Sequence, residues 1–151
     1  MRLEKYKVIA NTAQTTFEFM SEGPKGSILK VVEYTKVNLK GFRNLYNLGF
    51  GDKDASTDAI NDLVVTDNQD SEKVLATVAS TVYIFTKYHS TARIILTGST
   101  PARTRLYRMV ISKYLEELSE TFDIKGMTET KFEKFKKNRT YFAFLIKRKI
   151  K

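Results

Sequence analysis

The chain has 151 residues, 42% of them apolar, with Phe 10, Tyr 8, Gly 7, Pro 2 and a formal net charge of +9. A chain of this length buries about 70% of the surface that its unfolded form exposes, and so few Gly and Pro exclude a linker-like or disordered composition. With no Cys, a disulfide framework, a thiolate nucleophile and a cysteine zinc site are excluded. No run approaches the roughly eighteen apolar residues of a membrane span, and the charged opening Met1–Lys7 lacks a signal-peptide core. One cytoplasmic domain over residues 1–151 is therefore expected, with no membrane association.

In chain order, Thr16–Ser21 alternates, with Phe17 and Phe19 on one face. The turn Glu22–Gly26 and the apolar run Ile28–Tyr34 complete a hairpin. Leu45–Phe50 and Leu63–Thr66 read as two further strands, joined by the polar loop Gly51–Ala59. Behind the cap types Asp70 and Ser71, the residues Val74, Leu75, Val78, Val82 and Phe85 recur with helical period and predict a first helix that ends near Tyr88. Arg93–Thr97 then reads as a short buried strand, so strand, helix and strand predict a right-handed parallel crossover. Gly98-Ser99-Thr100-Pro101 ends that strand and starts a second helix, because a hydroxyl cap followed by Pro at the first helical position is a strong start signal. Its apolar face is expected to carry Leu106, Met109, Val110, Leu118 and Phe122 as it runs to Thr121. Phe122–Met127 and Tyr141–Ile146 close the chain as strands, the latter apolar on both faces and so an inner strand.

Charge is unevenly placed. Between Asp52 and Glu72 seven acids face one base, a net of −6, whereas from Phe122 to Lys151 ten bases face three acids, a net of +7. A basic segment attracts a polyanion, and lysine on edge strands also blocks edge pairing; both readings stand here.

The most specific local motif is Gly98-Ser99-Thr100-Pro101-Ala102-Arg103-Thr104-Arg105-Leu106-Tyr107. A helix start carries unsatisfied N–H groups and partial positive charge. With the hydroxyls of Ser99, Thr100 and Thr104 and the cations Arg103 and Arg105, it makes a candidate site for phosphate or carboxylate. The competing reading is a plain helix cap, with the arginines paired to surface acids. Asp52-Lys53-Asp54-Ala55-Ser56 opens like a calcium loop, but Thr57 and Leu63 stand where such a loop needs Gly and a bidentate Glu. His89 is the single histidine and falls at a helix end, where a cation is favoured. Nothing assembles a metal site, a cofactor site or a catalytic triad. Phe132, Phe135, Tyr141, Phe142 and Phe144 interleave with lysines, a pattern shared by core strands and by base-stacking platforms.

On Ser21-Glu22-Gly23-Pro24-Lys25-Gly26, Asn47–Asp52, Lys73–Ala79 and the Gly98–Tyr107 motif, the chain resembles a small family of uncharacterised bacterial proteins, which brings no assigned activity. The order strand, helix, strand, helix, strand, strand after a meander is also similar to the acetyl-CoA-dependent N-acetyltransferases. Those enzymes hold pyrophosphate on a glycine-bearing loop before the first of these helices. Here that loop reads Asp67–Glu72, without glycine and with acids that repel phosphate.

These features predict an α+β fold, a mostly antiparallel sheet of six or seven strands with two helices packed chiefly on one face and one parallel strand-helix-strand crossover. The expected function is a non-enzymatic binding module for an anionic partner, nucleic acid or a phosphorylated ligand. The alternatives are a degenerate acetyltransferase-like enzyme and a structural domain that binds a protein partner or a second copy of itself.

Overall fold

The computed structural model describes residues 4–53, 60–61, 68–98 and 100–150. The chain divides into two compact units, Met1–Thr35 with Gly49–Tyr88, and Lys36–Leu48 with His89–Lys151. It is α+β, with a mostly antiparallel sheet and three helices among the described residues.

In the first unit, β1 (Ile9–Ala10), β2 (Thr16–Gly23) and β3 (Gly26–Val37) are hydrogen-bonded in that order, followed by β4 (Leu45–Lys53), whose second half belongs to this unit. The two-residue β5 (Ile60–Asn61) pairs antiparallel with the end of β4. Gly23 and Gly26 face each other in the β2–β3 hairpin, which leaves Pro24 and Lys25 as its turn, and Gly26 takes the positive φ of 87° that closes it. The predicted hairpin is thus present. Helix α1 (Ser71–Tyr88) buries Val74, Leu75, Val78, Val82 and Phe85, the stripe that its periodicity defines. The ring of Phe85 stacks on Tyr34 at 4.0 Å, while Phe17 meets Tyr34 edge-on at 5.9 Å.

In the second unit, the first half of β4 pairs with β6 (Arg93–Leu96), then β9 (Ala143–Arg148), β7 (Phe122–Met127) and β8 (Phe132–Lys134) follow. β4 and β6 are the parallel pair, in register from Leu45 with Arg93 to Leu48 with Leu96, and α1 lies between them in sequence. The parallel partner of β6 is therefore β4, whereas the sequence pointed to Leu63–Thr66, which lies outside the described residues. Gly51–Lys53 extends β4 into what reads as loop. β9 is an inner strand as predicted, but it begins at Ala143, so Tyr141 and Phe142 precede it. The strand count exceeds six or seven because β1, β5 and β8 have only two or three residues, too few to show a period.

The predicted second helix is two helices, α2 (Pro101–Lys113) and α3 (Leu115–Thr121). Tyr114, at φ −112° and ψ 20°, separates them, yet its N–H still reaches Val110 O at 3.1 Å and its O accepts from Leu118 N at 2.9 Å. Continuity of these bonds lets the chain bend without a Gly or Pro. The buried stripe is Thr104, Tyr107, Ile111 and Leu118, and the expected core residues Leu106 and Met109 are 39% and 53% exposed. Both stripes have helical spacing, and the larger Tyr107 ring takes the core position.

Candidate functional site

The sequence motif at the start of α2 folds into a self-bonded turn. Thr100 is the N-cap, and its Oγ1 accepts the N–H of Arg103 at 3.2 Å. Its carbonyl accepts from Thr104 N at 3.1 Å and from Thr104 Oγ1 at 3.3 Å. Thr104 Oγ1 in turn accepts the N–H of Gly98 at 3.0 Å. Pro101 has no N–H, so capping takes up most of the first-turn donors and both threonine hydroxyls. Ser99 lies outside the described residues. Arg103 is half-buried and Arg105 exposed.

Around this turn opens a concavity of ≈ 690 Å³ lined by Thr97, Gly98, Thr100, Pro101, Thr104, Arg105, Arg108, Thr140, Tyr141 and Phe142. Two guanidinium groups face it, and no carboxylate is among its lining residues. Arg108 Nη1 donates to the carbonyl of Arg139 at 3.2 Å, which fastens the segment before β9 beside α2. That segment is built around Tyr141. Its hydroxyl donates to Glu133 Oε2 at 2.8 Å and accepts the N–H of Lys136 at 3.1 Å, while Glu133 also holds Arg139 at 3.2 Å. Burial, reinforced by the bond to Glu133, pushes the Tyr141 phenol above its ordinary value. Next to it, Phe142 is 50% exposed. Of the five residues that the sequence motif pointed to, Thr100, Thr104 and Arg105 line this concavity, Arg103 is not among its lining residues and Ser99 lies outside the described residues; Arg108 was not singled out, and Phe142 was named only as one of five aromatics interleaved with lysines. Arg108 follows Arg105 by three positions and shares its helix face, a signal that was present. Phe142 could not be told from its buried neighbours Tyr141 and Phe144 by pattern alone.

The other notable polar cluster is in the first unit and is structural. Asp70 Oδ2 accepts from Tyr6 Oη and from Ser21 Oγ, both at 2.6 Å. Burial first, and then the Asp70 bond, raise the Tyr6 phenol above its ordinary value. Buried Asn68 accepts the N–H of Lys25 at 2.7 Å and donates to Gly26 O at 2.8 Å, so it clamps the Pro24–Lys25 turn. A Cβ on Gly23 would stand 2.2 Å from the Asn68 carbonyl oxygen. The Ser21–Gly26 motif is explained by this docking, and Asn68 and Asp70 before α1 are engaged in it. Asp52 binds the ammonium of Lys30 at 2.5 Å; Asp54–Ser56 lie outside the described residues. His89 follows α1 and its ring lies 6.1 Å from Tyr46. Among the described residues no group of three or more His, Asp or Glu is placed to hold a metal ion, and no helix is long and apolar enough to cross a membrane.

A family profile, described as a family of unknown function (DUF6934), matches residues 2–149 of the chain. No curated protein and no solved structure matches it.

Proposed function

Because the chain belongs to this family of unknown function, we propose its function from the site itself: a non-enzymatic module that binds an anionic partner, a nucleic acid or a phosphorylated ligand, at the start of α2. The carrying observation is the pairing of Arg105 and Arg108 in one concavity whose lining holds no Asp or Glu. A guanidinium offers a planar fork that matches phosphate. Phe142, exposed on the same wall, offers a face on which a nucleobase stacks. Since capping engages the Arg103 and Thr104 N–H groups and both threonine hydroxyl oxygens, the arginine side chains carry most of the affinity.

A second reading, an acetyltransferase-like enzyme, draws support from the chain order β4, α1, β6, α2 with α3, β7, β9. One experiment separates the two. Thermal melting is followed against inorganic phosphate, ATP, a short oligonucleotide and acetyl-CoA. A ligand that binds the folded state raises Tm with its concentration. The anion module predicts a rise with ATP or the oligonucleotide that is lost in the Arg105→Ala, Arg108→Ala double variant. A rise with acetyl-CoA alone, retained in that variant, favours the enzyme and overturns the proposal.

A further inference from the structure

The sheet of the second unit has two unlike faces. On one, Ile94, Leu96, Ile124, Phe144 and Ile146 are buried. On the other, cations stand directly opposite one another: Arg93 faces Lys147 across β6 and β9, and Lys125 faces Lys134 across β7 and β8. Like charges directly opposite each other destabilise a strand pair. Among the described residues none of these four cations forms an ion pair, and Asp123, opposite Lys147, is the one acid lining the concavity of ≈ 610 Å³ that they share. Two like-charge pairs on one face, with Asp123 as the single acid beside them, leave an excess of positive charge whose repulsion a polyanion relieves.

The geometry points to this face as a surface for single-stranded nucleic acid, with phosphates over Arg93, Lys147, Lys125 and Lys134. Leu145 stands between the two pairs, opposite Lys125, and Phe42 lines the same concavity, its ring edge-on to Phe132 at 5.8 Å. An apolar floor with an aromatic wall suits a base, whose ring face is sequence-independent. An acidic peptide offers carboxylates but no flat ring for that floor. This surface consists of residues other than those at the start of α2, and the inference stands without the reading given above.

The test is anisotropy of a fluorescein-labelled oligothymidylate titrated with the full chain at several salt concentrations. Four neutralised phosphates predict a log K against log salt slope of about −3 for a single strand. Lys134→Glu is the discriminating variant, because it turns the Lys125 pair from like to unlike charge. It is expected to keep or raise Tm while it weakens binding severalfold and makes the salt slope shallower by about 1. Loss of oligonucleotide affinity in the Arg105→Ala, Arg108→Ala double variant with none in Lys134→Glu places the nucleic acid at α2 and overturns the inference. No binding at low salt, unaltered affinity in Lys134→Glu, or polyglutamate that competes as well as unlabelled oligothymidylate also overturns it.

Discussion

Gly98 lies against Thr104 so closely that its N–H reaches the threonine Oγ1 at 3.0 Å, and a Cβ at Gly98 would stand 2.4 Å from the Thr104 amide nitrogen. The obstacle is backbone in the first turn of α2, which cannot swing aside as a side chain does. Gly98→Ala is therefore expected to shift the strand end from the helix start and to cost about 1 to 3 kcal/mol, read as a lower urea midpoint with unchanged m-value. Thr104→Ser, which keeps the oxygen, should cost less than Thr104→Val, which leaves the Gly98 N–H without its acceptor. Equal costs for the two would show that the hydroxyl bond contributes nothing.

The Lys30 side chain is 1% exposed, and its ammonium meets Asp52 at 2.5 Å. In register it stands opposite Phe19, so it shares a face with aromatic core. Removing only the acid takes a carboxylate at 2.5 Å away from a buried cation, and Asp52→Ala is expected to lower stability, by at most about 3 to 5 kcal/mol. Replacing the cation with an apolar chain of similar volume removes the charge that needs the partner. Lys30→Met should thus be the milder change, and combining it with Asp52→Ala should recover part of the loss. Chemical denaturation of the three variants gives the coupling directly; strict additivity would remove the pair from the account of stability.

The elements that were legible in the sequence are those with a long period or strong punctuation. Five apolar residues from Val74 to Phe85 define α1 and are all buried, and Pro24 between Gly23 and Gly26 marks a turn that the register confirms. The bend at Tyr114 was not legible, since no breaker occurs there and the hydrogen bonds run through it. Nor was the choice between two helical stripes on α2, because Leu106 and Met109 are as apolar as the residues that win. At the α2 start the motif announced a cap and cations but not which donors the cap would consume. The like-charge pairs of the sheet arise from register between strands distant in sequence, such as Arg93 with Lys147, which no local pattern reveals.

Tyr34 is buried against Phe85 and Thr81. The Thr81 hydroxyl gives its proton to Val78 O at 2.7 Å, so the Tyr34 hydroxyl is the donor in their 2.8 Å contact. Burial raises this phenol well above its ordinary value. In the unfolded chain it loses its proton near pH 10, whereas in the folded chain it keeps it. The folded state then binds more protons, and stability is complete below pH 10 and falls as pH rises beyond it, by up to about 1.4 kcal/mol per pH unit for this group. Tyr34→Phe is expected to lower stability at neutral pH by about 0.5 to 1.5 kcal/mol and to flatten the alkaline decline. Melting curves from neutral to alkaline pH test this, and an equally steep decline in the variant would assign it to other groups.

Phe142 separates binding from stability at the α2 concavity. It is 50% exposed between buried Tyr141 and Ala143, and its N–H is held by the carbonyl of Met127 at 2.9 Å, so the backbone position does not depend on the ring. Phe142→Ala is therefore expected to change stability by no more than about 0.5 kcal/mol, as for most surface substitutions. If a base stacks on the ring, the same change weakens binding of ATP or an oligonucleotide at this site by about 1 to 3 kcal/mol, the range found for base–aromatic contacts. Inorganic phosphate, which has no ring, should bind the variant and the parent chain alike. Isothermal titration with phosphate and with ATP reads both arms. Equal losses for the two ligands would mean that Phe142 shapes the arginine site instead of stacking on a base, and no loss for either would place the ring outside the site.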